Sequence, residues 1–127
     1  MFPEDMKIPA SPDFRSPVFL SRHIAWIMDF YADRAIDPSG GMYHCYLDDG
    51  TVYDPRTRHL VSAARFVITH AMLFQLTGEE RFQKGVRHNV DFLRRGFLDP
   101  ATGGYAWLID WHAGRASVLD ATRHCYG

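Results

Sequence analysis

The sequence predicts an all-α fold: a two-layer ring of helical hairpins broken by short β-like excursions. Three observations predict it. One helical segment is apolar on two stripes and the next on only one, so an inner helix alternates with an outer one. Tight turns alternate with long connections along the chain. Asp37-Pro38-Ser39-Gly40-Gly41-Met42-Tyr43 is echoed by Asp99-Pro100-Ala101-Thr102-Gly103-Gly104-Tyr105, with 62 positions between the two Asp-Pro pairs. A ring of six such units would take roughly 370 residues. The 127 residues present are therefore expected to be part of a larger toroid, residues 1–16 forming an irregular arm and residues 17–127 the first two hairpin units.

Pro3, Pro9 and Pro12 interrupt residues 1–16 and leave no periodicity. Ser16-Pro17 then offers an N-cap followed by an N1 proline, and Leu20, Ile24, Ile27, Met28 and Tyr31 recur at helical spacing over residues 17–34. The first Asp-Pro segment breaks that helix, and residues 42–53 read as two short strands around Asp48-Asp49-Gly50. Asp54-Pro55 repeats the cap-and-proline signal, so a second helix is expected to run from there to Gly78. Thr77 and Glu80 have capping-box spacing, which predicts a third helix up to about residue 95. A fourth helix is expected to open at Ser117 and to stop, unfinished, at Gly127.

The second helix carries the stripes Leu60-Ala64-Val67-Ala71-Phe74 and Val61-Ile68-Met72, leaving a polar strip of Arg58, Ser62, Arg65 and Thr69. A helix that apolar is expected to be packed on most sides. The third has one stripe, Phe82, Val86, Val90 and Leu93, opposite Arg81, Lys84, Arg87, His88, Asp91, Arg94 and Arg95.

Composition narrows the function. Hydrophobic residues make up 46% of the chain and aromatic residues 14%, enough for a folded core. Fourteen Lys+Arg against fifteen Asp+Glu give a formal charge of −1, which leaves no basic field for nucleic acid. No apolar run approaches the ~20 residues of a membrane span, and residues 1–12 lack the basic and apolar regions of a signal peptide. Cys45 and Cys125 form no CxxC pair and no disulfide framework. The expectation is a soluble, cytoplasmic protein with neither nucleic acid nor membrane as partner.

Arg65 stands out chemically. It sits ten positions past Pro55, roughly 15 Å along a helix, in the one polar strip of an inner helix. Two readings stand side by side: a cation facing a central cavity, able to steady negative charge on a substrate oxygen, or an arginine locked in a buried ion pair. Tyr43, Tyr46, Tyr53, Tyr105, Trp107 and Trp111 occupy the long connections, where flat rings suit stacking on a sugar or simply fill small hairpin cores. Metal is not expected, because neighbouring His and Cys side chains in His44-Cys45 and His124-Cys125 point apart and their spacing fits no closed zinc site. His59 and His70 read as packing histidines and His88 as solvated. Gly40-Gly41 and Gly103-Gly104 are turn glycines without a phosphate-loop context.

The run Asp48-Asp49-Gly50-Thr51-Val52-Tyr53-Asp54, then Arg58-His59-Leu60 and Ala64-Arg65-Phe66, then Gly103-Gly104-Tyr105, and Asp120 with Arg123-His124-Cys125-Tyr126-Gly127, resembles the N-acylglucosamine 2-epimerase superfamily of sugar epimerases and aldose–ketose isomerases. The resemblance runs from about residue 17 onward. Val61 stands where that family often has tryptophan and Ala63 where it often has glutamine. The resemblance implies a partial (α/α)6 barrel in which Arg65 and Tyr126 line a sugar pocket, with His124 beside it through its neighbour; Trp107, from the aromatic reading of the connections, is the fourth candidate binding residue. It implies a monosaccharide or disaccharide substrate, no metal or redox cofactor, and proton transfer at C2 through a cis-enediolate. The family's acid–base histidines match none of the seven here, so the segment is expected to supply binding residues and no catalytic ones. Dimers are frequent in that family. A glycoside hydrolase or lyase on the same ring, needing two spaced carboxylates, and a non-catalytic helical module remain as alternatives.

Overall fold

The computed structural model describes residues 11–31 and 34–122. The chain divides into two compact units, Met1–Ala32 and Asp33–Gly127. In the first, helix α1 spans Pro17–Tyr31. Its start is as expected: the Ser16 hydroxyl accepts the Phe19 N–H at 3.3 Å, an N-cap ahead of Pro17.

The second unit is not all-α. Among the described residues it holds strands β1 (Cys45–Tyr46), β2 (Val52–Asp54) and β3 (Thr57–His59), helices α2 (Leu60–Thr77) and α3 (Glu80–Phe92), a π-helical turn Leu93–Phe97, and strands β4 (Leu108–His112) and β5 (Arg115–Asp120). They form two antiparallel sheets, β1-β2 and β3-β4-β5. The expected toroid of hairpins with mere β-like excursions is therefore replaced by two helices packed with a real three-stranded sheet.

Three local readings fail because strand pairing overrides them, across the chain for the first two and within a tight hairpin for the third. Asp54 does cap a turn, its Oδ1 accepting the N–H groups of Arg56 and Thr57 at 2.9 and 3.0 Å. The turn leads into β3 and not into a helix, because Thr57, Arg58 and His59 pair with Asp110, Ile109 and Leu108. Arg58 thus leaves the helical strip on which its spacing had placed it. In place of the expected fourth helix from Ser117 the chain forms β5, up to Asp120. Ala113 and Gly114 both have positive φ, 51° and 72°, the backbone of a two-residue hairpin turn that folds Arg115 back opposite His112.

Other readings hold. The hairpin around Asp48-Asp49-Gly50 is β1-β2, with Gly50 N–H donating to the Leu47 carbonyl at 2.9 Å. Gly78 ends α2 in the left-handed conformation. The two Asp-Pro segments fold alike: the N–H of Asp37 donates to Gly41, that of Asp99 to Gly104, and each loop is closed by a bridge, Ile36 to Met42 and Leu98 to Tyr105.

The core comprises Leu60, Ala63, Phe92, Phe97, Ala106, Ile109 and Trp111. Alternation along β4 turns Ile109 and Trp111 inward. The π turn adds a residue to the end of α3 and brings both Gly96 and Phe97 inside. Phe92 meets Phe97 and Trp111 edge-on at 5.5 and 5.0 Å. Helix α2 is covered on one face only: Leu60, Ala63, His70 and Leu73 are buried, whereas Ile68, Met72 and Leu76 are exposed. Its 18 residues, with a mean hydropathy of 1.3, meet the length and composition of a membrane span, which corrects the expectation that no run comes near one.

Candidate functional site

Of the residues that the chemistry singles out, Arg65 lies on α2 and Trp107 is joined to the start of α2 through its backbone. Leu60 N–H donates to the Trp107 carbonyl at 2.9 Å, and Trp107 N–H donates to the Asp120 carbonyl at 3.0 Å. The backbone of Trp107 is therefore clamped between the first residue of α2 and the end of β5. Arg65 comes five residues into the helix, about 7.5 Å along its axis. Trp107 is half-buried and packs against the core.

Arg65 is exposed, on the same side of α2 as Ile68, Thr69 and Met72 at three-, four- and seven-residue spacing. No ion pair engages it among the described residues. The buried pair offered as its second reading exists, but Arg58 makes it. Arg58 is fully buried and its Nη2 lies 2.6 Å from Asp37 Oδ2. The same guanidinium donates to the carbonyls of Met42 at 2.8 Å and Pro55 at 2.7 Å, and lies 5.0 Å from the centre of the Tyr43 ring. Burial alone would raise the Asp37 carboxyl; hydrogen bonds from the Ser39 hydroxyl and N–H, together with Arg58, outweigh it and hold the carboxyl below its usual range.

This cluster fastens the first Asp-Pro loop to the rest of the unit. Trp111 Nε1 donates to the Ser39 hydroxyl at 2.9 Å. His88 Nε2 donates to the carbonyls of Asp37 and Gly41 at 3.0 and 2.9 Å, so His88 is half-buried and engaged where its charged surroundings had suggested solvent. His70 is buried as expected, its Nδ1 donating to the Phe66 carbonyl at 2.7 Å. Trp111 is a core residue; for it the packing reading of the aromatics is the right one.

His44 has a role that sequence reasoning misses, since the residue counts there only as half of a discounted metal pair. Its Nδ1 accepts the backbone N–H of His59 at 3.0 Å. Burial, then the neighbouring charge of Arg58 and of His59, pushes its pKa down to about 3. The only signal in the sequence is its place between two tyrosines of the hairpin arm, which says nothing about a partner 15 residues away. Among the described residues no group of three or more His, Cys, Asp or Glu side chains is placed to hold a metal ion. Tyr126 and His124 lie outside the described residues.

Residues 41–127 match the family model of N-acylglucosamine 2-epimerase. The chain belongs to the N-acylglucosamine 2-epimerase family. Within it, a D-mannose isomerase of Marinomonas mediterranea is 41% identical over 116 residues, covering 91% of this chain and 28% of that protein. A cellobiose 2-epimerase of Dictyoglomus turgidum is 27% identical over 102 residues, covering 80% and 25%. The crystal structure of a D-mannose isomerase superposes with a TM-score of 0.83 at 40% identity over 92% of this chain and 29% of that one. The chain thus spans less than a third of the length of the epimerase-family relatives it matches.

Proposed function

We propose that this chain is the sugar-binding N-terminal part of an aldose–ketose isomerase or 2-epimerase, acting on a monosaccharide such as mannose or on a disaccharide. The observation that carries the reading is Arg65, held on α2 with its guanidinium exposed and without an ion pair among the described residues. Moving the C2 proton of an opened aldose leaves negative charge on the enediolate oxygens, and a fixed cation beside them lowers the barrier. Arg65 supplies that cation, Trp107 a flat face for the sugar's C–H surface, and Tyr126 with His124 hydroxyl contacts from the segment just after β5. The acid–base histidines come from elsewhere in the complete protein.

A hydrolase reading needs two carboxylates free to work as acid and base. Here Asp37, Asp49, Asp54, Asp99 and Asp120 each accept the backbone N–H two residues on, which makes them turn formers. Titrating the isotope-labelled chain with D-mannose tests the proposal. The Arg65 Nε and Trp107 Nε1 signals are expected to shift, and Arg65→Ala to abolish the effect. In D2O the chain alone leaves the C2 hydrogen of mannose unexchanged. Side-chain signals that ignore the sugar, or deuterium entering C2, would sink it.

A further inference from the structure

Helix α2 begins in an unusual way. Its N-cap, His59, makes no side-chain capping bond, and its first turn contains no acidic residue. In a capping box the side chain at the third helical position reaches back to the N-cap N–H. That position is Ser62 here, and the acceptor comes instead from the hairpin arm: His44 Nδ1, 3.0 Å from the His59 nitrogen. The His44 ring lies 5.5 Å from that of Phe66, one residue beyond Arg65, so the same imidazole touches both the first turn of α2 and the stretch that carries the cation.

We propose that His44 is a positioning residue for the sugar site, its Nδ1 serving as a distant cap that fixes where α2 begins and hence where Arg65 is presented. The part that concerns sugar rests on the function proposed above. The acceptor role requires one tautomer, with Nδ1 bare and the proton on Nε2. Nε2 is buried and has no partner among the described residues, so nothing there competes for the other tautomer. Arg58 and His59, the charged and titratable groups beside it, both oppose an imidazolium.

The test has two arms on the 127-residue chain. Nitrogen NMR of the wild type is expected to show His44 with a bare Nδ1 and a protonated Nε2, unchanged from about pH 8 to about pH 5. Titration near the ordinary histidine value, or the opposite tautomer, overturns the proposal without any variant having to fold. His44→Leu removes the acceptor and His44→Asn keeps one, since Oδ1 falls close to the place of Nδ1. Loss of one hydrogen bond speeds exchange of the His59 amide about tenfold in the leucine variant, and the asparagine variant restores the wild-type rate. D-mannose affinity falls by a similar factor in His44→Leu and recovers in His44→Asn. A leucine variant that keeps wild-type exchange and affinity overturns the role. If the wild type binds no mannose, the proposed function fails by itself, and the nitrogen spectrum with amide exchange still decides the part His44 plays at the helix start.

Discussion

Arg58 and Arg65 are the same residue type seven positions apart, and the fold gives them opposite fates. Arg58 is enclosed by Asp37, two carbonyls and the Tyr43 ring; Arg65 stands in the open. Replacing Asp37 by asparagine strands a buried guanidinium, and breaking a buried pair in this way costs about 3–5 kcal/mol. Urea unfolding of Asp37→Asn is expected to show that loss. Arg65→Ala, with no ion pair to break among the described residues, should stay within about 0.5 kcal/mol of wild type while losing sugar binding. Equal stability losses in the two variants would contradict the assignment. Arg65 is legible as a candidate in the sequence because its helical strip is real over residues 62–69. Arg58 is misplaced there because β3 is defined by a partner strand some fifty residues on, and no local pattern reports such pairing.

At the scale of elements, α2 and α3 are held close by a notch. A Cβ on Gly85 of α3 would lie 2.2 Å from Cδ2 of His70 on α2. His70 is itself pinned to Phe66 and has little room to swing away. Gly85→Ala is expected to cost about 1–3 kcal/mol, the usual penalty for overpacking. Pairing it with His70→Ala should cost less than the sum of the two single changes, since the clash disappears with the ring. Additive costs in denaturant titrations would mean that the two helices do not meet at this notch. Where structure is local, the sequence shows it: the Ser16-Pro17 start, the Asp-Asp-Gly hairpin, the Gly78 stop and both Asp-Pro loops form where turn chemistry puts them. Where a partner strand decides, near or far, it does not. Residues 115–120 are short, carry no helix breaker and sit just past a turn built on Ala113 in a conformation that alanine seldom adopts. Their strand character comes from β4, whose buried Ile109 and Trp111 belong to a sheet that the all-α reading left out.

For the molecule as a whole, two buried groups, Asp37 and His70, and the half-buried His44 tie stability to pH in the same sense. His44 and His70 are both depressed, chiefly by burial, His44 to about 3. In the unfolded chain each takes up a proton near pH 6.5. Below that value the unfolded state binds protons that the folded state refuses, so stability falls with falling pH, for His44 down to about 3. Asp37 then acts on the acid side. Its folded carboxyl titrates below the ordinary carboxylate value of 3.8, so the stability it contributes is present above that pH and is lost as pH drops through the folded value. The terms accumulate without cancelling. Urea midpoints measured at about pH 7.5, 6, 5 and 4 are expected to decline at every step, the unfolding free energy falling by up to about 1.4 kcal/mol per pH unit for each histidine still resisting protonation. Because asparagine at position 44 cannot titrate, His44→Asn should flatten the decline between about pH 6 and pH 4 and leave the Asp37 step below about pH 4 in place. A wild-type midpoint that holds level over that whole range would show that the imidazole of His44 is not shut away between the hairpin and the first turn of α2.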